Sequence, residues 1–108
     1  HDAYMLGWGV ATFDGLYTLQ SLVRTKTSGA DGSFNLGRIS DAKLDALIDS
    51  MRTEPDLTRR RAMVGVALRL VGEDLPFIPL YRRTLNWAMS KKVRAVQWPN
   101  DTLELRWV

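Results

Sequence analysis

The step from Leu75 to Pro76 constrains this chain most, because a helical pattern ends there and an extended pattern begins. Proline lacks a backbone N–H and disfavours helical geometry in the residue before it, so a helix cannot continue through the step. Downstream, Phe77–Tyr81 is short and apolar, as in a buried extended segment. Upstream, the pattern predicts a helix over Leu57–Asp74 with one apolar stripe: Val64, Ala67, Leu68, Val71 and Leu75.

Two shorter helices are predicted earlier in the chain from the same periodicity. The first, near Leu16–Arg24, carries its apolar positions at Leu16, Leu19 and Val23. The second, Asp41–Arg52, carries Leu44, Leu47, Ile48 and Met51. Side chains that can accept a hydrogen bond from a first-turn amide precede each of the three helices, so the candidate N-caps are Asp14 or Thr12, Ser40, and Asp56 or Thr58.

A row of carboxylates recurs every four residues on the second helix, at Asp41, Asp45 and Asp49. The row lacks the interleaved glycine and the terminal glutamate of a calcium-binding loop. Asp41 also lies where a negative charge interacts favourably with the helix dipole. We therefore expect a solvated helix face and no metal site.

Alternating apolar and polar residues predict strands on both sides of the helices. These segments are Tyr4–Trp8, Leu85–Met89, the weaker Val93–Trp98, and Leu103–Trp107. With the helices between them, they predict an α/β or α+β arrangement in which about three helices pack on a mixed sheet within residues 1–108.

The residue content excludes several kinds of chemistry. The chain has no cysteine, and its single histidine is residue 1. This removes thiol nucleophiles, zinc–thiolate sites and internal histidine acid–base pairs. The polar loop over Lys26–Gly37 lacks the glycine spacing of a phosphate-binding loop. We expect no enzymatic activity, no cofactor and no metal.

Charge is unevenly distributed along the chain. Residues 1–54 carry five Lys or Arg against seven Asp or Glu, whereas residues 55–108 carry ten against five. Eleven arginines and four tryptophans leave a basic nucleic-acid-binding module as the alternative function. Against it, Trp87 and Trp107 alternate with polar residues in predicted strands, which is typical of core positions.

Several pieces of the chain, in this order, resemble the C-terminal part of the family 5 extracellular solute-binding proteins. Residues 4–25 are similar to the family's Trp-Gly strand, acidic aromatic turn and helix. FNLGRISDAKLDALIDSMRTEPDLTRRR resembles its Asn-x-x-x-x-Ser and Asp-x-Leu segment followed by an Asp-x-x-x-Arg helix start. GEDLPFIPLYRRTLNWAM resembles the Glu-Asp-x-Pro-x-Ile-Pro-Leu-Tyr run with its return strand, and SKKVRAV resembles the turn after it.

The resemblance implies a receptor rather than an enzyme. Family members are the dipeptide-, oligopeptide- and nickel-type components of ABC importers, which close two lobes on a solute and deliver it to a membrane permease. The implied architecture is the type II fold of periplasmic binding proteins, with this chain in the C-terminal lobe and residues 84–108 crossing back toward the N-terminal lobe. The implied location is periplasmic or extracellular, with a lipoprotein anchor possible in the full-length protein.

The resemblance also indicates a ligand-binding segment. In the family, the residues after Trp-Gly reach the ligand cleft, and oligopeptide-binding members hold the peptide amino group with an Asp three residues after the Trp. Ala11 occupies that position here, and the nearest acid is Asp14. We expect Trp8 and Phe13 to form apolar walls and Thr12 and Asp14 to form polar contacts, although capping of the following helix alone would also explain Asp14.

We expect this sequence to be a piece of a longer protein, since it opens on His1-Asp2 and closes within a predicted strand. The apolar positions of that last region then require sheet neighbours from elsewhere: Trp98, Leu103, Leu105 and Trp107. Self-association is one way of covering them.

Overall fold

A computed structural model describes residues 3–10 and 12–104. It contains three helices and one two-stranded sheet: α1 Gly15–Leu22, α2 Ala42–Thr53, α3 Leu57–Asp74, β1 Val96–Gln97 and β2 Leu103–Glu104. The general α+β class and the three predicted helices are confirmed. The chain divides into two compact units, a helical one over Asp14–Pro79 and a second made of His1–Phe13 and Leu80–Val108.

An aspartate caps the N-terminus of each helix. Asp14 and Asp56 do so as predicted, accepting hydrogen bonds from Leu16 N at 2.9 Å and from Arg59 N at 2.8 Å. The expected cap Ser40 is wrong, because the Asp41 carboxylate accepts from two first-turn amides of α2 at 2.7 and 3.2 Å. The Ser40 hydroxyl instead accepts a hydrogen bond from the Thr25 hydroxyl.

The core of the helical unit lies where α1, α2 and α3 meet. Its buried apolar residues are Leu19, Val23, Leu44, Ile48, Met51 and Ala67. Ile48 and Met51 are completely buried, because α2 packs against both of the other helices. Phe77 packs against this cluster. The predicted burial of Phe77–Tyr81 is otherwise wrong, because Ile78, Leu80 and Tyr81 are 80%, 65% and 80% exposed.

The predicted apolar stripe of α3 is only partly correct. Met63, Val64 and Val71 pack on the core around Ala67, but Leu68 is 54% exposed and Leu75 is 65% exposed. At 100° per residue, Leu68 lies at one edge of the stripe, and the two shorter helices cover only the side centred near Ala67. Leu75 lies beyond the end of the helix, where its backbone is left-handed and its side chain leaves the stripe.

The predicted mixed sheet is wrong within the described residues. Tyr4–Trp8, Phe77–Tyr81 and Leu85–Met89 form no strand. The sheet there is the antiparallel pair β1–β2, with Val96 opposite Glu104 and Gln97 opposite Leu103. Alternation creates a side-chain surface that suits a sheet, but a strand also needs a neighbouring chain for its main-chain hydrogen bonds. Leu105 and Trp107 lie outside the described residues.

A buried amide holds the loop that joins α1 to α2. Asn35 is 1% exposed and donates through Nδ2 to the carbonyls of Arg24 and Ile39, at 3.0 and 2.8 Å. Its Oδ1 accepts from Ile39 N at 2.9 Å. Gly32, with φ of 60°, lies against the same carbonyl of Arg24, where an added Cβ would be 2.5 Å away. The base of the loop therefore has one backbone arrangement, and position 32 must be glycine because a side chain there would clash.

Truncating two leucines separates the core face of the helical unit from the exposed edge of α3. Leu44→Ala should cost about 2–5 kcal/mol of unfolding free energy, because it opens a cavity in the core. Leu68→Ala should change it by less than about 0.5 kcal/mol, since this side chain is already largely in water. Urea denaturation of both variants measures the difference, and equal losses would contradict the assigned face.

Candidate functional site

Asp14 is the predicted site residue whose role is most clearly defined by the structure. Its Oδ1 accepts from Leu16 N as the α1 cap, and its Oδ2 forms an ion pair with Arg60 of α3. Both side chains are partly buried. The carboxylate thus links the start of α1 to α3, and a cationic ligand would share it with Arg60.

The other three predicted site residues precede Asp14 in the chain and belong to the second unit. Trp8 is partly buried, while Thr12 and Phe13 are exposed. Phe13 has φ of 55° and a ring that is 67% exposed. The left-handed conformation costs a non-glycine residue about 1–2 kcal/mol. Ala11 lies outside the described residues, and convergence of the four side chains on one ligand stays a prediction.

The acidic row of α2 is a solvated face only in part, since Asp49 is 47% exposed but all three carboxylates have partners in the structure. Arg24, just after α1, forms ion pairs with Asp45 at 2.8 Å and Asp49 at 3.1 Å. Asp45 also accepts from Thr25 N, and its side chain is only 18% exposed. The expectation is wrong for Asp45 because it considered α2 alone, without the residues that pack beside it. One sequence signal could have predicted these ion pairs. It is an arginine directly after a short helix, followed later in the chain by acidic residues at helical spacing.

A second set of polar contacts holds the loop at Asp31. Its carboxylate accepts from Gln20 Nε2 at 2.9 Å and forms an ion pair with Arg52 near the end of α2. Arg52 also lies 3.8 Å from Asp49, which joins this pair to the Arg24 cluster. The loop is therefore tied to both α1 and α2 through side chains that sequence analysis did not single out.

These contacts shift two pKa values. Burial by itself would raise the pKa of Asp31, but the hydrogen bonds from Arg52 and Gln20 and the charges of Arg52 and Arg24 outweigh it, so the pKa is lowered. The pKa of Arg24 is raised, chiefly by its hydrogen bond to Asp49 and against the effect of burial.

A surface depression of about 360 Å³ lies in the second unit. It is lined by Arg83, Thr84, Leu85, Asn86, Trp87 and Asp101. The Arg83 guanidinium is 2.9 Å from the Asp101 carboxylate. Trp87 is 40% exposed, so its expected place in the core is wrong.

Searches against protein-family models, curated proteins and solved structures find no match to this chain. Within the described residues, side chains of His, Cys, Asp and Glu form no group of three that could hold a metal ion. None of the described helices is long and apolar enough to span a bilayer.

Removing the Asp31 carboxylate should change how stability depends on pH. The pKa of Asp31 is below its ordinary value of 3.8 in the folded chain, so the carboxylate stabilises the fold above that pH. This contribution is lost as the pH falls through the lower, folded-state pKa. Asp31→Asn should therefore be less stable than the wild type at neutral pH, and the difference should shrink in acid.

Urea denaturation between neutral and acidic pH measures this difference. Arg52→Gln and the double variant with Asp31→Asn provide the control, since the two single losses should not add if the ion pair is the cause. Parallel stability curves for the wild type and Asp31→Asn would contradict the assignment.

Proposed function

We propose that this chain is part of the C-terminal lobe of a solute-binding component of an ABC importer, which captures a peptide or similar small solute and delivers it to a membrane permease. The observation that carries the proposal is the order and spacing of the sequence pieces that resemble family 5 extracellular solute-binding proteins. The proposed fold is the type II fold of periplasmic binding proteins. The proposed location is periplasmic or extracellular.

Three residues in the pieces that resemble the family have defined structural roles in this chain. These roles support aligning the pieces with the family position by position. Asn35, in the first long piece, ties the loop before α2 through a buried amide. Asp56 caps α3, and Arg60, four residues later, pairs with Asp14. An asparagine, an aspartate and an arginine at this spacing are thus each needed by the local structure.

The proposed ligand-binding segment runs from Trp8 to Asp14. Phe13 supports this role, since it combines a strained backbone with a ring largely in water instead of in a core. Such strain is common at ligand-binding positions. Asp14 would supply the polar contact, with one carboxylate oxygen on the helix cap and the other on Arg60. In this proposal the chain does no chemistry and uses no cofactor.

Nucleic-acid binding is the second candidate. The helical unit Asp14–Pro79 has nine Lys or Arg and nine Asp or Glu, so the chain's net charge of +3 comes from the other unit. That unit also exposes Trp87 and Trp98, and basic surfaces with exposed rings bind single strands. Binding of an oligonucleotide that weakens steeply with added salt would favour this candidate.

Mass spectrometry of the solute released from the purified full-length protein tests the transport proposal. A peptide, a metal chelate or another small solute, released on unfolding in near-stoichiometric amount, is the expected result. A full-length protein that carries no solute and binds none from a mixture of peptides and chelates would contradict the proposal.

Asp14→Asn tests the contact residue in that full-length protein. Binding of a cationic solute should weaken by about 1.5–3 kcal/mol, the value of a charge-assisted hydrogen bond. The helix cap should persist, since asparagine caps as well as aspartate. Asp41→Asn, which makes the same change at the cap of α2, is the matched control and should leave affinity unchanged. Calorimetry that finds equal affinities for both variants would remove Asp14 from the site.

A further inference from the structure

Residues 78–89 lack main-chain pairing within the described part of the chain. They form no helix, strand or turn there, and no backbone–backbone hydrogen bond of the described residues involves them. Yet Leu85, Trp87 and Met89 alternate with Asn86 and Ala88, as in a strand with one apolar face. The segment thus has the side-chain pattern of a strand but forms no strand within the described residues. Unpaired N–H and C=O groups in such a segment are a template for another peptide chain.

The depression of the second unit lies along the same segment. Five of its six lining residues are consecutive, Arg83–Trp87, and the sixth is Asp101. The partly exposed Trp87 ring gives it an apolar wall, and the pair of Arg83 with Asp101 gives it a polar rim. In a peptide paired with this segment, every second side chain would point to the face that carries the depression. The depression would accept those side chains.

Charge indicates which peptide would fit. The described residues of the second unit contain five cations and two carboxylates, Asp101 and Glu104. Arg83 pairs with Asp101. The other four cations are exposed and form no ion pair within the described residues: Arg82, Lys91, Lys92 and Arg94. Carboxylates on the incoming chain would complement them.

We propose that an acidic peptide docks on residues 83–87 as an added strand, with apolar side chains on Trp87 and carboxylates near Arg82 and Arg94. A second copy of this chain is disfavoured, because it brings the same positive excess. A single-stranded nucleic acid leaves the main-chain N–H and C=O groups unpaired and places phosphates near Asp101. This docking edge goes beyond the proposed function and does not depend on solute transport.

The test uses the full-length protein and a fluorescein-labelled decapeptide of alternating Glu and Val. Fluorescence anisotropy should show saturable binding that weakens with salt. In ¹⁵N-labelled chain, the amide signals of residues 83–87 should shift on addition of the peptide. The same peptide with N-methylated central amides keeps its charge but loses its donors, and should bind at least about tenfold more weakly. A Lys–Val decapeptide should not bind.

Charge-reversal variants of the chain supply the matched control. Arg94→Glu should weaken peptide binding by about fivefold, since an exposed attraction becomes a repulsion. Arg69→Glu makes the same net change on the exposed side of α3 in the helical unit, and should leave binding nearly unchanged.

Four results would each overturn the proposal. The N-methylated peptide could bind as tightly as the parent, or the two charge reversals could have equal effects. A ten-nucleotide oligothymidylate could bind more tightly than the acidic peptide and shift the same amides. Finally, those amides could shift when the chain alone is concentrated, which would make a second copy the occupant. None of these results bears on the solute released from the full-length protein.

Discussion

The arrangement of the helical unit depends on one buried amide. Asn35 lies between the end of α1 and the start of α2, and its three hydrogen bonds join the carbonyl of Arg24 to both main-chain groups of Ile39. A buried amide left without partners is unfavourable, so the loop must close with this geometry for the helices to pack. Closure brings Arg24 next to α2, where its ion pairs with Asp45 and Asp49 become possible.

The helical unit thus combines a small apolar core with polar connections around its rim. Arg24 and Arg52 hold the α1–α2 side, while Asp14 and Arg60 connect the start of α1 to α3. Exposed ion pairs contribute little individually, but those here share partners and are partly buried. Because Arg24 and Arg52 lie at the rim, they pair with the acidic row of α2, although the spacing of that row is typical of a solvated face.

Features set by neighbouring residues could be predicted from the sequence, and features set by distant ones could not. The bounds of α3 follow from a capping aspartate and from Pro76, both local signals. Exposure of Leu68 depends on how far α1 and α2 reach around α3. Asp14 was one of two candidate caps in the sequence, but its partner Arg60 is 46 residues away. The segments predicted as strands show the same limit. Alternation of apolar and polar residues specifies which face is apolar, but it does not specify which other segment forms the main-chain hydrogen bonds.

The closure of the α1–α2 loop separates an exposed tip from a buried base. Gly32 and Asn35 are buried at the loop base, whereas residues 26–30 are exposed and make local turn contacts, such as Gly29 N to the Thr27 hydroxyl. Extra residues at an exposed tip cost only a small, slowly increasing loop entropy. We therefore expect insertions to be tolerated at the tip, so that an epitope tag or a reporter domain grafted there should leave the packing of the helices intact.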